Sequence, residues 1–233
     1  MSSNGRLGRK RKGSVLKMYH FEYVTKSQAA PVKKELIAIL NKVQDILREH
    51  FTFQYFFIGS AARNMITHDV KRDIGFDFDI NIEINDNDQN YSPKEIREML
   101  KTAFDRVIPH YGYSPAEQST RVLTIKFKDI AHSAILHSCD IAVVHTYFDD
   151  EDCERQEYIH FDKKSNRYIW EERSEGYYQL SEKEDWIRKN VPSEALKDWY
   201  LWKKNTNTDP HKKSRTIYAE AVHEICQKYG YFD

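Results

Sequence analysis

Residues 76–84 read FDFDINIEI, and hydrophobic and polar side chains alternate along this stretch without exception. Because successive side chains of a β-strand point to opposite faces of a sheet, this period of two predicts a strand. The hydrophobic face carries Phe76, Phe78, Ile80, Ile82 and Ile84, and the polar face carries Asp77, Asp79, Asn81 and Glu83. The stretch therefore predicts a core strand that presents two aspartates side by side.

Two aspartates are an unusual choice for one face of a strand. Aspartate is a poor strand former, and carboxylates about 7 Å apart repel each other unless a cation lies between them. A third aspartate, Asp140, lies in another apolar stretch, Cys139-Asp140-Ile141. Carboxylate oxygens without a nearby Cys or His cluster favour Mg²⁺ or Mn²⁺ over zinc. We therefore predict that Asp77, Asp79 and Asp140 are ligands of one divalent metal site.

The chain before this strand predicts a helix, a strand and a turn. Hydrophobic side chains recur at helical spacing over residues 31–51, with a proline in the first turn. Residues 53–58 form a short aromatic run that ends at Gly59-Ser60. This pattern predicts a buried strand, a turn and a second helix from about Ala61.

The chain after residue 84 predicts helices and further strands. A capping-box pattern at residues 92–95 predicts the start of a long helix, and the apolar stretches 121–127 and 133–144 predict two strands. Two shorter runs flank a polar turn at residues 162–166 and predict an exposed hairpin. A Ser-x-x-Glu pattern at Ser181 predicts the start of helical structure that continues to just before Gly230.

These elements together predict an α/β (α+β) fold, with a mixed sheet flanked by helices, then a hairpin and a helical C-terminal part. The expected division is a basic flexible tail over residues 1–18, a core domain over 19–150, and the hairpin with the C-terminal helices over 151–233. The tail contains Arg6, Arg9, Lys10, Arg11 and Lys12. Basic termini of this kind are usually solvated.

The stretch Gly59-Ser60-Ala61-Ala62-Arg63, followed by Asp77-Phe78-Asp79 and then by Asp140, resembles the nucleotidyltransferase signature of the polymerase beta-like superfamily. The Gly-Ser-x-Ala-Arg part is most similar to the small bacterial nucleotidyltransferases. Asn64 stands where those enzymes usually carry glycine, and residues 67–75 form an insertion. The layout of the later strands is more similar to the group of oligoadenylate synthetases and cyclic GMP-AMP synthase-like bacterial enzymes.

The resemblance implies an enzyme that uses two Mg²⁺ or Mn²⁺ ions and a nucleoside triphosphate, with ATP the expected one. Asp77, Asp79 and Asp140 would then be the catalytic residues as well as the metal ligands. A hydroxyl of the acceptor would attack the α-phosphate and release pyrophosphate.

The same resemblance implies that four residues bind the nucleotide. Gly59 and Ser60 would begin a helix whose N-terminus faces the triphosphate, because free backbone N–H groups and the helix dipole favour anions there. Arg63 and Asn64, one turn further into the helix, would contact phosphate or sugar.

The acceptor is not encoded in these motifs. A second nucleotide, which would give a linear or cyclic product, fits the strand layout best, and a tRNA end, a protein side chain and a small drug stay open. Lys and Arg (36) balance Asp and Glu (36), which argues against a long RNA acceptor. Two alternatives to an enzyme are a non-catalytic nucleotide-binding module and a nucleic-acid-binding protein that acts through the basic tail.

Cysteine content and hydropathy favour a cytoplasmic protein. The three cysteines, Cys139, Cys153 and Cys226, form no C-x-x-C pair and are typical of a reduced compartment. No apolar run reaches the roughly 20 residues that span a bilayer, so no membrane contact is expected.

Several other polar and aromatic residues have ordinary interpretations. We expect Glu83 to be a solvated strand end, with a catalytic base as the alternative, and His132 and His137 to be ordinary polar residues. We expect Trp199, Tyr200 and Trp202 to pack in a core, with base stacking as the alternative. For the remaining basic residues two interpretations stay open, contact with phosphate or ordinary solvation. These residues are Lys71, Arg72, Lys203, Lys204, Lys212, Lys213 and Arg215.

Overall fold

The computed structural model describes residues 19–71, 75–86, 90–132 and 134–231. Within these residues the strands are β1 (Phe21–Tyr23), β2 (Thr52–Ile58), β3 (Thr67–Asp69), β4 (Phe76–Asn85), β5 (Glu117–Gln118), β6 (Leu123–Asp129), β7 (Ala134–Phe148), β8 (Glu154–Asp162) and β9 (Arg167–Glu172). The helices are α1 (Lys26–Leu47), α2 (Gly59–Arg63), α3 (Pro93–Val107), α4 (Glu175–Asn190), α5 (Ser193–Thr206) and α6 (Ser214–Tyr229), and a 3₁₀ turn follows α3 at Ile108–Tyr111.

Seven strands form one mixed sheet. Its order is β2-β4-β7-β6-β5, and the β8–β9 hairpin joins the sheet through β7. The β4–β7 pair is parallel, whereas the neighbouring pairs β2–β4, β6–β7 and β7–β8 are antiparallel. A separate two-stranded sheet is made by β1 and β3. The fold is therefore the mixed α/β arrangement that the sequence predicts.

The main core lies between the sheet and the helices α1 and α3. The hydrophobic face of β4 is buried there, with Phe78, Ile80 and Ile82 almost inaccessible to solvent. Helix α1 contributes one apolar stripe, and α3 contributes another behind a capping box in which Ser92 and Glu95 bond reciprocally. This arrangement leaves the other face of β4, which carries the aspartates, turned away from the main core.

A second core joins the three C-terminal helices. Its buried members include Ile187 of α4, Leu196 of α5 and Val222 of α6, and Met65 connects it to the segment after α2. Helix α6 ends at Tyr229, and the next residue, Gly230, adopts a left-handed conformation (φ 85°), as expected after a helix C-terminus.

Two predicted helix starts are wrong. Helix α1 begins at Lys26 rather than at Pro31, because Thr25 and Gln28 form a capping box and the proline then lies inside the helix. Helix α4 begins at Glu175, directly after β9, so the Ser-x-x-Glu pattern at Ser181 lies inside a helix and not at its start. A capping pattern marks a helix start only when the chain before it is not already helical.

The predicted hairpin exists, but it is part of the main sheet. Residues 144–148 of β7 pair with residues 154–158 of β8, and β8 pairs along its length with β9. The sheet therefore continues to Glu172, beyond the expected boundary at residue 150.

Some sequence expectations fall on residues that the structure does not describe. The basic residues of the 1–18 tail and Arg72 lie outside the described ranges. Across the described ranges, no helix combines the length and apolar character needed to cross a bilayer.

Candidate active site

The three predicted metal ligands lie on two neighbouring strands and on one face of the sheet. In the parallel β4–β7 pair, Asp79 is directly opposite Asp140 and Asp77 is opposite Ser138. Since Asp77 and Asp79 are two residues apart on β4, both share a face with Asp140. The structure therefore brings together three carboxylates from two separate stretches of the sequence.

Hydroxyl groups donate hydrogen bonds to two of the three carboxylates. Thr124 of β6 lies opposite Asp140, and its Oγ1 donates to Asp140 Oδ1 over 2.6 Å. On the other side, Ser138 Oγ donates to Asp77 Oδ1. Hydrogen bonds to a charged acceptor are short and directional, so they orient these two carboxylates on the sheet.

The carboxylates carry more negative charge than their surroundings neutralise. Burial, together with the charges of Asp140 and Asp77, raises the pKa of Asp79 from 3.8 to about 6. Burial also raises the pKa of Asp140, and the charge of Asp77 acts in the same direction. Arg63 and Arg215 are the cations whose charge lowers the pKa of Asp79. A bound cation would relieve this repulsion.

The donor set fits a divalent metal ion. Three aspartates supply hard oxygen ligands, which suits Mg²⁺ or Mn²⁺. Within the described ranges, no three His, Cys, Asp or Glu side chains already converge closely enough to hold an ion.

Gly59 packs its backbone directly against Asp79. It has a left-handed conformation (φ 61°), and a Cβ atom built on it would lie 2.8 Å from Asp79 Oδ2. A side chain at this position would both strain the backbone and displace the carboxylate. The Gly-Ser turn therefore lies so close to Asp79 that residue 59 has no room for a side chain.

Asn64 ends helix α2 rather than lying inside it. Its φ of 55° and ψ of 44° are left-handed, and its backbone N–H donates to Ser60 O. Asparagine is among the few residues other than glycine that tolerate this conformation. The structure thus explains why asparagine can stand where the small nucleotidyltransferases carry glycine.

Arg63 packs α2 against the C-terminal helices. Its Nη2 donates to Glu184 Oε1 of α4 over 2.6 Å, and its guanidinium lies 4.3 Å from the ring centre of Tyr218 on α6. A nucleotide contact by Arg63 stays a prediction, as do the roles of Gly59, Ser60 and Asn64.

The polar face of β4 beyond Asp79 is covered, not solvated. Asn81 is 4% exposed, and its Oδ1 has no hydrogen-bond partner among the described residues. Glu83 is half-buried and accepts a hydrogen bond from the backbone N–H of Thr146 over 2.9 Å. The expectation that Glu83 is a solvated strand end is therefore wrong.

The histidines and tryptophans occupy ordinary positions. His137 is buried, with Nε2 2.8 Å from the hydroxyl of Tyr113, and His132 pairs with Asp129 on the surface. Trp199 and Trp202 stack at 4.7 Å between ring centres, but Trp202 is 47% exposed, so the predicted core packing is wrong for this residue.

The C-terminal basic residues differ in their surroundings. Lys203 and Lys212 form ion pairs with glutamates of α6. Lys204 is buried, its Nζ donates to Thr67 Oγ1 over 2.7 Å, and burial lowers its pKa to about 8. Lys71 and Arg215 are exposed.

No sequence model of a protein family matches the chain, and no curated protein sequence matches it. Solved structures do match. The STING-associated CdnE c-di-GMP synthase from Capnocytophaga granulosa aligns with 89% of this chain at a TM-score of 0.58 and 16% identity. The CD-NTase CdnG from Bradyrhizobium diazoefficiens, solved with GTP, aligns with 86% of this chain at a TM-score of 0.53 and 17% identity.

A third match is the DncV cyclic AMP-GMP synthase from Vibrio cholerae, solved with a linear intermediate, which aligns with 86% of this chain at a TM-score of 0.51 and 10% identity. The chain has a nucleotidyltransferase fold. This confirms the fold that the sequence predicts. Identities this low establish only the nucleotidyltransferase fold, and the chain spans 63%, 66% and 74% of the length of these three proteins.

Sequence reasoning missed the two hydroxyl donors of the carboxylate site. Thr124 lies in a predicted strand, and Ser138 lies two residues before the third acid. The alternation of each strand indicates the face of these residues, but strand order and register decide that they meet carboxylates.

Proposed function

We propose that this chain is a nucleotidyltransferase that transfers a nucleoside monophosphate from a nucleoside triphosphate, with ATP the expected donor, to a hydroxyl group and releases pyrophosphate. One observation carries the proposal. Asp79 lies opposite Asp140 in the β4–β7 pair and beneath the backbone of Gly59. A backbone turn suited to binding phosphate thus lies next to carboxylates suited to binding metal ions, within a nucleotidyltransferase fold.

The acids and the Gly-Ser turn have separate tasks in this proposal. Asp77, Asp79 and Asp140 hold the metal ions, and Gly59 and Ser60 face the triphosphate. Gly59 follows β2, which pairs with β4 on one side, whereas Asp140 lies on β7 on the other side. We therefore place the donor triphosphate on the β2 side of Asp79 and the acceptor hydroxyl on the β7 side, where Asp140 activates it.

Mg²⁺ or Mn²⁺ at these carboxylates would supply the positive charge that neutralises the triphosphate and lowers the pKa of the attacking hydroxyl. The chain contributes the positioning. Thr124 and Ser138 orient two of the acids, and the absence of a side chain at Gly59 lets the backbone reach the donor. Positioning and charge stabilisation together account for most of the catalysis of phosphoryl-type transfers.

A second nucleotide is the acceptor that we favour. The structures that share the fold include a c-di-GMP synthase and a cyclic AMP-GMP synthase solved with a linear intermediate. Transfer between two nucleotides would give a linear product, and a second transfer within it would give a cyclic one. Nucleotidyl transfer to a tRNA end, a protein or a small drug would produce a different product mass.

The test is incubation of the full chain with Mg²⁺ and all four nucleoside triphosphates, followed by a pyrophosphate assay and mass spectrometry of the products. We expect pyrophosphate together with a dinucleotide. Asp140→Asn should abolish both, because it removes a metal ligand. Asp185→Asn is the matched control, since Asp185 lies on the surface of α4 and pairs with Arg188 of the same helix.

Absence of pyrophosphate with all triphosphates, with and without cell extract, would contradict autonomous catalysis. Nucleotide binding without turnover would then favour the non-catalytic module. Pyrophosphate release that Asp140→Asn does not reduce would contradict the assignment of the site.

A further inference from the structure

Three arginines and two tyrosines form an alternating stack, which we call the arginine ladder. Its members in order are Arg121, Tyr158, Arg173, Tyr177 and Arg215. The guanidinium carbons of Arg121 and Arg173 lie 5.3 and 4.5 Å from the ring centre of Tyr158. Those of Arg173 and Arg215 lie 5.1 and 5.9 Å from the ring centre of Tyr177. The ladder therefore draws together residues from the β6 and β8–β9 segments, α4 and α6.

The ladder has a surplus of positive charge. Arg121 has one distant acidic neighbour, with its Nη2 3.9 Å from Glu171 Oε1. In the part of the chain that the structure describes, no carboxylate lies within ion-pair distance of Arg173 or Arg215. Burial lowers the pKa of Arg173, and the charges of Arg215 and Arg121 act in the same direction. Cations held close together without counter-charges are a recognised feature of anion-binding sites.

The geometry of Arg173 determines which part of it can bind. Tyrosine rings lie over its guanidinium group, and its Nε donates to Gln156 Oε1 over 3.2 Å. The edge of the guanidinium group that carries its two terminal nitrogens stays available for hydrogen bonds. A guanidinium edge matches the oxygens of phosphate, to which it can donate two parallel hydrogen bonds.

The ladder lies on the same face of the sheet as the carboxylates. Val144 of β7 is four residues beyond Asp140, so its side chain points to the same face as that of Asp140. Tyr158 lies directly opposite Val144 and therefore shares this face. Both β6 and β8 border β7 on the edge opposite β4. Tyr158 is thus on the Asp140 side of Asp79, and the charge of Arg215 at the other end of the ladder acts on Asp79.

We propose that the arginine ladder is a phosphate-binding subsite for the acceptor nucleotide, with Arg173 as its central residue. This inference rests on the proposed function, in which the acceptor hydroxyl lies on the Asp140 side. Phosphates of the acceptor extend along Arg173 and Arg215, so that its sugar hydroxyl reaches the carboxylates. The ladder thereby favours an acceptor that carries 5′-phosphates over one that carries none.

The first test is calorimetric titration of the full chain with tripolyphosphate in the absence of divalent ions. Arg173→Gln should weaken binding by roughly tenfold or more, because a charge-assisted bidentate contact is lost. Arg215→Gln, at the exposed end of the ladder, should weaken it less. Arg167→Gln is the matched control, since Arg167 is an exposed arginine of β9 outside the ladder. Equal affinity of the wild type, Arg173→Gln and Arg215→Gln would overturn the proposal.

The second test compares each nucleoside 5′-triphosphate with its parent nucleoside as the acceptor, at a saturating donor concentration. The wild type should prefer the triphosphate, and Arg173→Gln should lose most of that preference with little change in the KM of the donor. If Arg173→Gln does not fold, Arg215→Gln provides the same comparison. A preference that both variants retain would overturn the subsite.

The two proposals fail in different ways. Tripolyphosphate binding that depends on Arg173, in a protein that releases no pyrophosphate, would contradict the nucleotidyltransferase and leave a phosphate site. Turnover that is insensitive to Arg173 and Arg215 would contradict the subsite and leave the enzyme.

Discussion

The carboxylates of β4 and β7 and the arginine ladder are two clusters of like charge on one face of the same sheet. The acids sit on adjacent strands, where hydroxyl donors orient Asp77 and Asp140. The arginines are spread over several elements and are kept apart by tyrosine rings. A compact negative cluster suits small cations, whereas an extended positive one suits a chain of phosphates. In the proposed function, this difference would let one face of the sheet bind both metal ions and a nucleotide.

Removing the central acid should break the negative cluster alone. Asp79→Asn should lower the rate of pyrophosphate release by about a thousandfold or more, since a preorganised charge that stabilises the transition state is lost. Tripolyphosphate binding to the arginine ladder should persist, because the ladder is built from other residues. Loss of both properties would mean that the two clusters form one unit.

The same substitution should stabilise the metal-free protein at neutral pH. Asp79 is held ionised against burial and two neighbouring carboxylates, and the neutral amide removes this repulsion. Chemical denaturation with and without Mg²⁺ measures the effect. A lower stability of Asp79→Asn than of the wild type in the absence of metal would contradict the repulsion.

Gly59→Ala should disturb the contact between the Gly-Ser turn and the acids. The new methyl group would lie 2.8 Å from Asp79 Oδ2 at a backbone φ of 61°, so either the turn or the carboxylate must move. We expect roughly a hundredfold loss of activity, because a shift of about 1 Å at a reacting group costs that much. Gly176→Ala is the matched control, because a Cβ atom there meets no neighbour within 4 Å. Full activity of Gly59→Ala would remove the argument for a close backbone approach.

We expect Thr124 to position Asp140, and substitutions of Thr124 separate the effect of orienting this carboxylate from the effect of its charge. Thr124→Val removes the 2.6 Å hydrogen bond to Asp140 and should lower kcat by about tenfold, in line with a hydrogen bond to a charged group. Thr124→Ser keeps the hydroxyl and should restore most of the activity. The apparent affinity for Mg²⁺ should follow the same order. Equal effects of Val and Ser would assign Thr124 to packing alone.

A change of pH near 6 should alter the charge of the carboxylate cluster but not that of the arginine ladder. The pKa of Asp79 is raised to about 6, whereas arginine does not titrate in this range. The folded-state pKa of Asp79 is raised above its unfolded value, so the folded protein binds this proton more tightly. The metal-free protein should then lose roughly 2 kcal/mol of unfolding free energy as pH rises from about 4 through about 6.

Mg²⁺ should reverse that loss. Its stabilising effect should be fully present above pH 6 and should decline below it, because protons and Mg²⁺ compete for the carboxylates. Denaturation curves between pH 5 and 8, with Asp79→Asn as the control, give the measurement. A Mg²⁺ effect that is the same at pH 5 and pH 8 would contradict the competition.

The sequence alone predicted the elements that rest on local patterns. Strict alternation over residues 76–84 predicted β4, and the capping box at Ser92 predicted the start of α3. The approximate positions of β6 and β7 also followed from composition. The sequence also predicted that the aspartates of β4 share a metal site with Asp140, first from the ligand chemistry of carboxylates on apolar strands and then from the resemblance to nucleotidyltransferases.

The tertiary structure decided what depends on register and on contacts between distant residues. It placed Thr124 against Asp140, covered Asn81 and Glu83, and joined the β8 strand to β7. The arginine ladder has no sequence signature, since its members span residues 121–215 in irregular steps. Local periodicity fixes which face a side chain takes, but only the packing of whole elements fixes which side chains from distant segments meet on that face.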